Sequence, residues 1–186
     1  MYIPIILGTA REGRQSEKVA KFILQETKKF GLETEIIDVR DFRIEATDNT
    51  QESAIAKIFS KKITKADGLI IITPEYNHSY SGELKMMLDM LYKQYARKPV
   101  GICGVSAGPL GGVRAVEQLK LMVIELSMVP IRISLYFSNV FELFEDGVIK
   151  NKAYYEQVRG FLEELTWYAR ALKAAKAKKT NTRETH

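Results

Sequence analysis

Residues 69–73, Leu-Ile-Ile-Ile-Thr, form an unbroken apolar run stopped by Pro74, and this run limits the choice of fold more than any other feature. A strand with one wet face alternates apolar and polar residues. A strand without a polar position in its middle is covered on both faces, as in a parallel sheet wrapped by helices. Similar runs recur at 2–7, which contains Pro4 and ends at Gly8, and at 33–39, 99–105 and 129–137. Helical spacing fills the intervals. Val19, Phe22, Ile23 and Phe30 make one stripe, with Ser16 as the expected N-cap and Gly31 as the stop. Ile55, Ile58, Phe59 and Ile63 make the next, a third helix is expected over 82–95, and Val116, Leu119, Val123 and Leu126 mark a fourth over 113–127. The last, over 153–176, turns Tyr154, Val158, Phe161, Leu162 and Leu165 inward. Strand and helix thus alternate, which predicts an α/β domain: a three-layer, doubly wound, five-stranded parallel sheet. There are too few strands for an eight-stranded barrel. Residues 1–172 are expected to form this one domain and 173–186 a basic tail.

Composition removes several classes of function. The only cysteine, Cys103, has no intrachain partner, and no Cys/His cluster suggests a zinc site, so no metal is expected. No apolar stretch approaches the ~20 residues of a membrane span, and the first residues do not resemble a secretory signal. A cytoplasmic protein without a membrane partner is the expectation. The net charge of +5 suggests nucleic acid until its location is considered. Residues 173–186 hold five basic residues and one acid, while the remainder holds 23 basic and 22 acidic residues. A short charged tail needs no partner, and no nucleic-acid binding is expected.

In open parallel sheets, ligands bind beyond the carboxyl ends of the strands, where the strand order reverses. Three loops there are unusual. The first, Gly8-Thr-Ala-Arg-Glu-Gly-Arg-Gln-Ser16, joins a buried strand to a helix, whose N-terminus offers free N–H groups and a positive dipole end to a phosphate. Thr9 and Ser16 add hydroxyls, and Arg11 or Arg14 a cation. Arg14 and Gln15 stand where a Walker motif needs Lys then Ser or Thr, and the dinucleotide fingerprint is missing, so a monophosphate fits best. A plain tight turn with solvated arginines is the competing reading. The second loop, residues 73–82, sets Tyr76 and Asn77 where a flat heteroaromatic ring could be walled and hydrogen-bonded. His78 there is a lone loop histidine. The third contains Gly104-Val-Ser-Ala-Gly108, a literal nucleophile-elbow match. A serine hydrolase would need an acid and then a histidine after Ser106. Only His186 follows, inside the basic tail, and the hydrolase reading is set aside.

Taken together, Gly8-Thr-Ala-Arg with Ser16, Pro74-Glu-Tyr-Asn-His-Ser with Gly82-Glu-Leu-Lys85, and the segment from Gly104 to Ala115 resemble the NADPH-dependent FMN reductase family of the flavodoxin-like fold. The resemblance spans residues 2–137. It implies that Thr9, Arg11, Gln15 and Ser16 hold the FMN phosphate. Pro74, Glu75, Tyr76, Asn77 and Ser79 would surround the isoalloxazine, with Ser106 and Gly108 at its other edge. It further implies an NAD(P)H oxidoreductase, using NADPH or NADH as co-substrate, that passes hydride through flavin N5 to a flavin, quinone, azo compound or similar small acceptor. No side chain is assigned a catalytic role, because the cofactor carries the chemistry. An FMN electron carrier of flavodoxin type, or a flavin-binding module without turnover, is the alternative. The resemblance also implies a homodimer or homotetramer through the 82–95 helix, whose Leu84, Met86, Met87, Leu88, Met90, Leu91 and Tyr92 exceed what one buried face needs. Ser81 stands where the family has proline, and a looser entry to that helix is expected. Met86 replaces an asparagine in the helix's first turns.

Overall fold

The computed structural model describes residues 1–47 and 50–183, with side chains described as far as Lys178. Strands β1 (Ile5–Leu7), β2 (Ile36–Asp38), β3 (Leu69–Pro74), β4 (Pro99–Val105), β5 (Val129–Pro130) and β6 (Leu135–Phe137) form one sheet. Its order is β2-β1-β3-β4-β5, with β6 also on β4, and every pair is parallel. The order reverses between β1 and β3, which places the switch point beside the first two loops.

The fully apolar strands are covered on both faces. Ile6, Leu69, Ile71, Val100 and Ile102 belong to one core, shared with helices α2 (Ala54–Lys65), α3 (Gly82–Leu88) and α4 (Val113–Glu125). Their neighbours Ile5, Leu7, Ile70, Ile72, Cys103 and Val105 belong to the other, shared with α1 (Ser16–Lys29) and the C-terminal helix Ala153–Arg183. This is the period-two alternation of strands. Cys103 is fully buried, and desolvation raises its thiol pKa, so it is a small apolar core residue.

Several boundaries differ from those read in the sequence. The 82–95 helix ends at Leu88; Met90 and Leu91 bond back three residues, and a 3-10 turn follows at Lys93–Tyr95. That break lets Met87, Leu88, Met90, Leu91 and Tyr95 all enter the core, more than one straight helix face could bury. The fifth strand splits after Pro130, and the N–H of Ile133 donates instead to Glu164 of the last helix at 3.0 Å. The second strand shortens to Ile36–Asp38, with one bridge between Tyr2 and Glu33 beyond it. Ile58 is 53% exposed, outside the stripe assigned to it. A short helix α5 (Val140–Leu143) and a hairpin of β7 (Phe144–Glu145) and β8 (Val148–Ile149), none of them anticipated, precede the final helix α6 (Ala153–Arg183). That helix runs past the expected end at Lys176, and residues 184–186, including His186, lie outside the described residues.

Ser81 tightens the entry to α3. Its side chain is the N-cap, accepting from the N–H of Leu84, while its hydroxyl donates to the carbonyl of Gly8 at the end of β1. Serine therefore replaces the constraint of the missing proline with two hydrogen bonds.

Lys98 is buried beneath the end of α2, where its ammonium donates to the carbonyls of Thr64 and Ala66. Burial, with some repulsion from Lys176, lowers its pKa from the usual 10.5 to about 8. The folded chain thus holds this proton less tightly than the unfolded chain, and its contribution to stability rises with pH between these two values. Urea unfolding of wild type and Lys98→Met should show the wild-type advantage growing by on the order of 2 kcal/mol from pH 8 to pH 10. An advantage that shrinks over that range would contradict this placement of the charge.

Candidate functional site

The first, second and third loops meet in one cavity of about 250 Å³. Residues 11–16, 74–76 and 105–107 line it, together with Val140 and Phe141 of α5. A shallower hollow of about 700 Å³, bounded by Gln51, Tyr92, Lys93 and Glu125, shares no residue with these loops.

The floor is the N-terminus of α1. Gly13 adopts φ +66°, and Gln15 already has helical dihedrals, so the helix starts one residue earlier than expected. Gln15 is the N-cap without a capping side chain, and Ser16 is the first helical residue. The Ser16 hydroxyl is therefore released from capping. It is buried and finds no partner among the described residues, and the same holds for Oε1 of Gln15. A buried hydroxyl without a partner costs roughly 1–3 kcal/mol. At a helix N-terminus such a hydroxyl is placed to donate to an anion.

The two loop arginines have separate tasks. Arg11 is exposed, with its guanidinium 5.8 Å from the centroid of the Tyr76 ring. Arg14 is buried and grips Asp38 with both terminal nitrogens. It is therefore not the free cation the sequence allowed. The hydrogen bond to Asp38 raises the Arg14 pKa against the opposing effect of burial. Burial pushes the Asp38 carboxyl up, but Arg14 and the Arg40 N–H outweigh it and hold the carboxyl below its usual range. Thr9 is fully buried and does not line the cavity, its hydroxyl lying 3.1 Å from that of Tyr76.

The second loop is a tight turn. Tyr76 and Ser79 exchange both backbone hydrogen bonds, and Asn77 and His78 between them have φ +50° and +66°. Two central residues of positive φ are what a type I′ turn demands, and asparagine tolerates that backbone best among non-glycine residues. Asn77 and His78 are exposed and, like Ser79, do not line the cavity. Glu75 lines it, but its carboxylate is engaged: Oε1 accepts from Nη1 of Arg114 at 2.9 Å and Oε2 from the Arg114 backbone N–H at 3.1 Å. Its negative charge sits at the N-terminus of α4, a favourable end, and ties the second loop to the third. Glu75→Ala should cost about 1 kcal/mol of stability in urea unfolding, and an unchanged midpoint would exclude the bracing role.

The third loop is pinned on its carbonyl side. The carbonyls of Ser106 and Gly108 accept from the N–H groups of Val140 and Asn139 at 3.1 and 3.0 Å. The Ser106 hydroxyl donates to the carbonyl of Gly108 at 3.0 Å, an intraloop contact and not the approach to a base that a nucleophile needs. Gly108 is half-buried and outside the lining. Sequence reasoning missed Ala107, Val140 and Phe141. The apolar pair at 140–141, just past the carboxyl end of the last strand, was the available signal for the latter two.

The sequence profile of the NADPH-dependent FMN reductases matches residues 1–142. The chain belongs to that family. It is an oxidoreductase of a family that uses FMN and NADPH. It is similar to an FMN-dependent NADPH-azoreductase of Staphylococcus haemolyticus, 30% identical over 158 residues that cover 78% of this chain and 81% of that protein. It is also similar to a quinone reductase of Pseudomonas putida, 27% identical over 169 residues, covering 87% and 88%. The fold resembles that of a flavoenzyme NAD(P)H:(acceptor) oxidoreductase of Paracoccus denitrificans, with a TM-score of 0.76, 20% identity and coverage of 93% and 97%. A flavodoxin of Streptococcus pneumoniae aligns with a TM-score of 0.57 at 12% identity, covering 89% and 98%. Among the described residues, no helix of this reductase is long and apolar enough to cross a membrane.

Proposed function

We propose that the cavity is the FMN site of an NAD(P)H oxidoreductase that reduces small flat acceptors of the flavin, quinone or azo class. The observation that carries this reading is the unpartnered Ser16 hydroxyl, buried at the N-terminus of α1 in a cavity bordered by all three loops. Ser16, the first N–H groups of α1 and Gln15 would hold the phosphate, with Arg11 as the exposed cation at the mouth. Tyr76 and Pro74 would wall the ring on one side, and Ser106 and Ala107 would meet it on the other. Thr9 would support Tyr76 from beneath and engage the phosphate only if that hydroxyl pair opens. Asn77, Ser79 and Gly108 would act through the shape of their turns.

When bound, FMN supplies a hydride acceptor at N5 and delivers the electrons to a second substrate. This chain's residues bind, orient and exclude water. The buried Arg14–Asp38 pair fixes the phosphate loop, and the Glu75–Arg114 pair fixes the other two loops relative to each other. Val140 and Phe141 give the opening an apolar rim, and Phe141, 65% exposed, is available to flat substrates. No acid or base is required of the protein, which accords with an exposed His78 and a Ser106 hydroxyl held within its own loop.

The reading places the protein in the cytoplasm, supported by the buried, unpaired Cys103. It also keeps a dimer or tetramer through the 82–95 segment, supported by the half-exposed Tyr92 beside the core-facing residues. The decisive experiment is steady-state oxidation of NADPH and NADH by the FMN-loaded protein with a quinone acceptor. Catalytic turnover is expected, and stoichiometric flavin binding without turnover would contradict the reading and favour an electron carrier.

A further inference from the structure

We infer that Arg14, Arg40 and Asp38 form a positioning clamp on the carbonyl side of the first loop, setting phosphate affinity by holding the loop's N–H groups toward the cavity. This rests on the reading that the flavin phosphate is seated at the N-terminus of α1. Three successive carbonyls are taken by two guanidinium groups. Nη1 of Arg14 donates to the carbonyl of Thr9, Nε of Arg40 to that of Ala10 at 3.2 Å, and Nη2 of Arg40 to that of Arg11 at 2.7 Å. Asp38 joins the two arginines: its carboxylate accepts from both terminal nitrogens of Arg14, and Oδ1 also accepts from the Arg40 backbone N–H at 2.9 Å.

Peptide geometry turns this into a statement about the opposite side of the loop. In a trans peptide the carbonyl of one residue and the N–H of the next point in opposite directions. Holding the carbonyls of residues 9–11 on the arginines turns the N–H groups of Ala10, Arg11 and Glu12 away from them. That of Arg11 reaches the Thr9 hydroxyl only at 3.4 Å, and among the described residues no acceptor meets the N–H of Ala10 or Glu12. Unpaired loop amides beside a helix N-terminus and a buried unpartnered serine hydroxyl form an anion-binding concavity. The clamp therefore preorganises the site, so that the cost of ordering its donors is met on folding and not on binding.

The sign of one substitution separates positioning from simple charge. Asp38→Asn removes a negative charge near the phosphate. Coulombic effects alone would tighten FMN binding, whereas loss of the clamp weakens it. The full-length chain is titrated with FMN and with riboflavin, which lacks the phosphate, following the quenching of flavin fluorescence. Wild type should prefer FMN by at least about tenfold, and Asp38→Asn should lose about tenfold in FMN affinity while its riboflavin affinity stays unchanged. Arg40→Lys, at an exposed position, keeps the charge but not the two-carbonyl fork, and should lose about threefold to tenfold for FMN alone. Should Asp38→Asn fail to fold, Arg40→Lys decides. FMN binding that is unchanged or tighter in these variants, or a parallel loss for both ligands, would overturn the clamp while wild-type discrimination left the phosphate site standing. Equal affinity of wild type for the two ligands would overturn the phosphate site and the clamp with it.

Discussion

Replacing Ser16 by aspartate should lower FMN affinity about a thousandfold while leaving the fold intact. The hydroxyl is buried at the N-terminus of α1 without a partner among the described residues. A carboxylate there occupies the position assigned to the phosphate. Two like charges ~4 Å apart at an effective dielectric constant of ~20 repel by about 4 kcal/mol, which corresponds to roughly three orders of magnitude in Kd. The helix N-terminus favours the same carboxylate by a few tenths of a kcal/mol or more, which offsets part of the cost of charging a buried position. FMN affinity should therefore fall far more than stability, and riboflavin binding should fall far less than FMN binding. Fluorescence titration with both flavins, beside a thermal unfolding curve, reads all three quantities. FMN affinity within about threefold of wild type would show that the phosphate is bound elsewhere.

A second large effect is expected from Gly112→Ala. Gly112 is the N-cap of α4 at φ +84°, and a Cβ on it would sit 2.6 Å from the backbone nitrogen of Val105. The left-handed backbone costs a non-glycine residue about 1–2 kcal/mol, and the overlap with strand backbone adds roughly 1–3 kcal/mol because neither side is a flexible side chain. The facing position is equally tight: a Cβ on Gly104 would meet the carbonyl oxygen of Gly111 at 2.6 Å. Alanine at 112 should cost about 3 kcal/mol or more in urea unfolding and displace Ser106 and Ala107 from the cavity, so that FMN retention falls as well. A variant as stable as wild type would mean that the third loop is not held by this contact.

These two glycines show what the sequence can and cannot convey. Neither glycine of the nucleophile-elbow match, Gly104 or Gly108, has a positive φ, and a Cβ on Gly108 would meet nothing within 4 Å, so the match reduces to a requirement for glycine at 104. Its cause here is the approach of β4 to the entrance of α4, which only the three-dimensional packing displays. The layers, the parallel order and the three loops were legible because continuous apolar strands permit few alternatives. Legible too was Gly31, whose φ of +88° ends α1. The paired roles were not legible. Arg14 and Arg11 look equivalent in the loop, yet one is buried against Asp38, 24 residues away, and the other lies over Tyr76. Glu75 lines the cavity as its loop suggests, and its oxygens are at the same time engaged by Arg114, 39 residues on. Spacing within a loop carries no information about such partners. Asn77 illustrates the converse: its presence in the second loop follows from the positive φ of a two-residue turn, a local requirement that a ligand role is not needed to explain.

The most direct test of the proposed site is a crystal structure of the chain with FMN. The expected result has the phosphate within hydrogen-bonding distance of the Ser16 hydroxyl and the first N–H groups of α1, and the ring between Pro74–Tyr76 and Ser106–Ala107. A phosphate bound at any other helix terminus, or a ring in the hollow beside Tyr92 and Glu125, would contradict it.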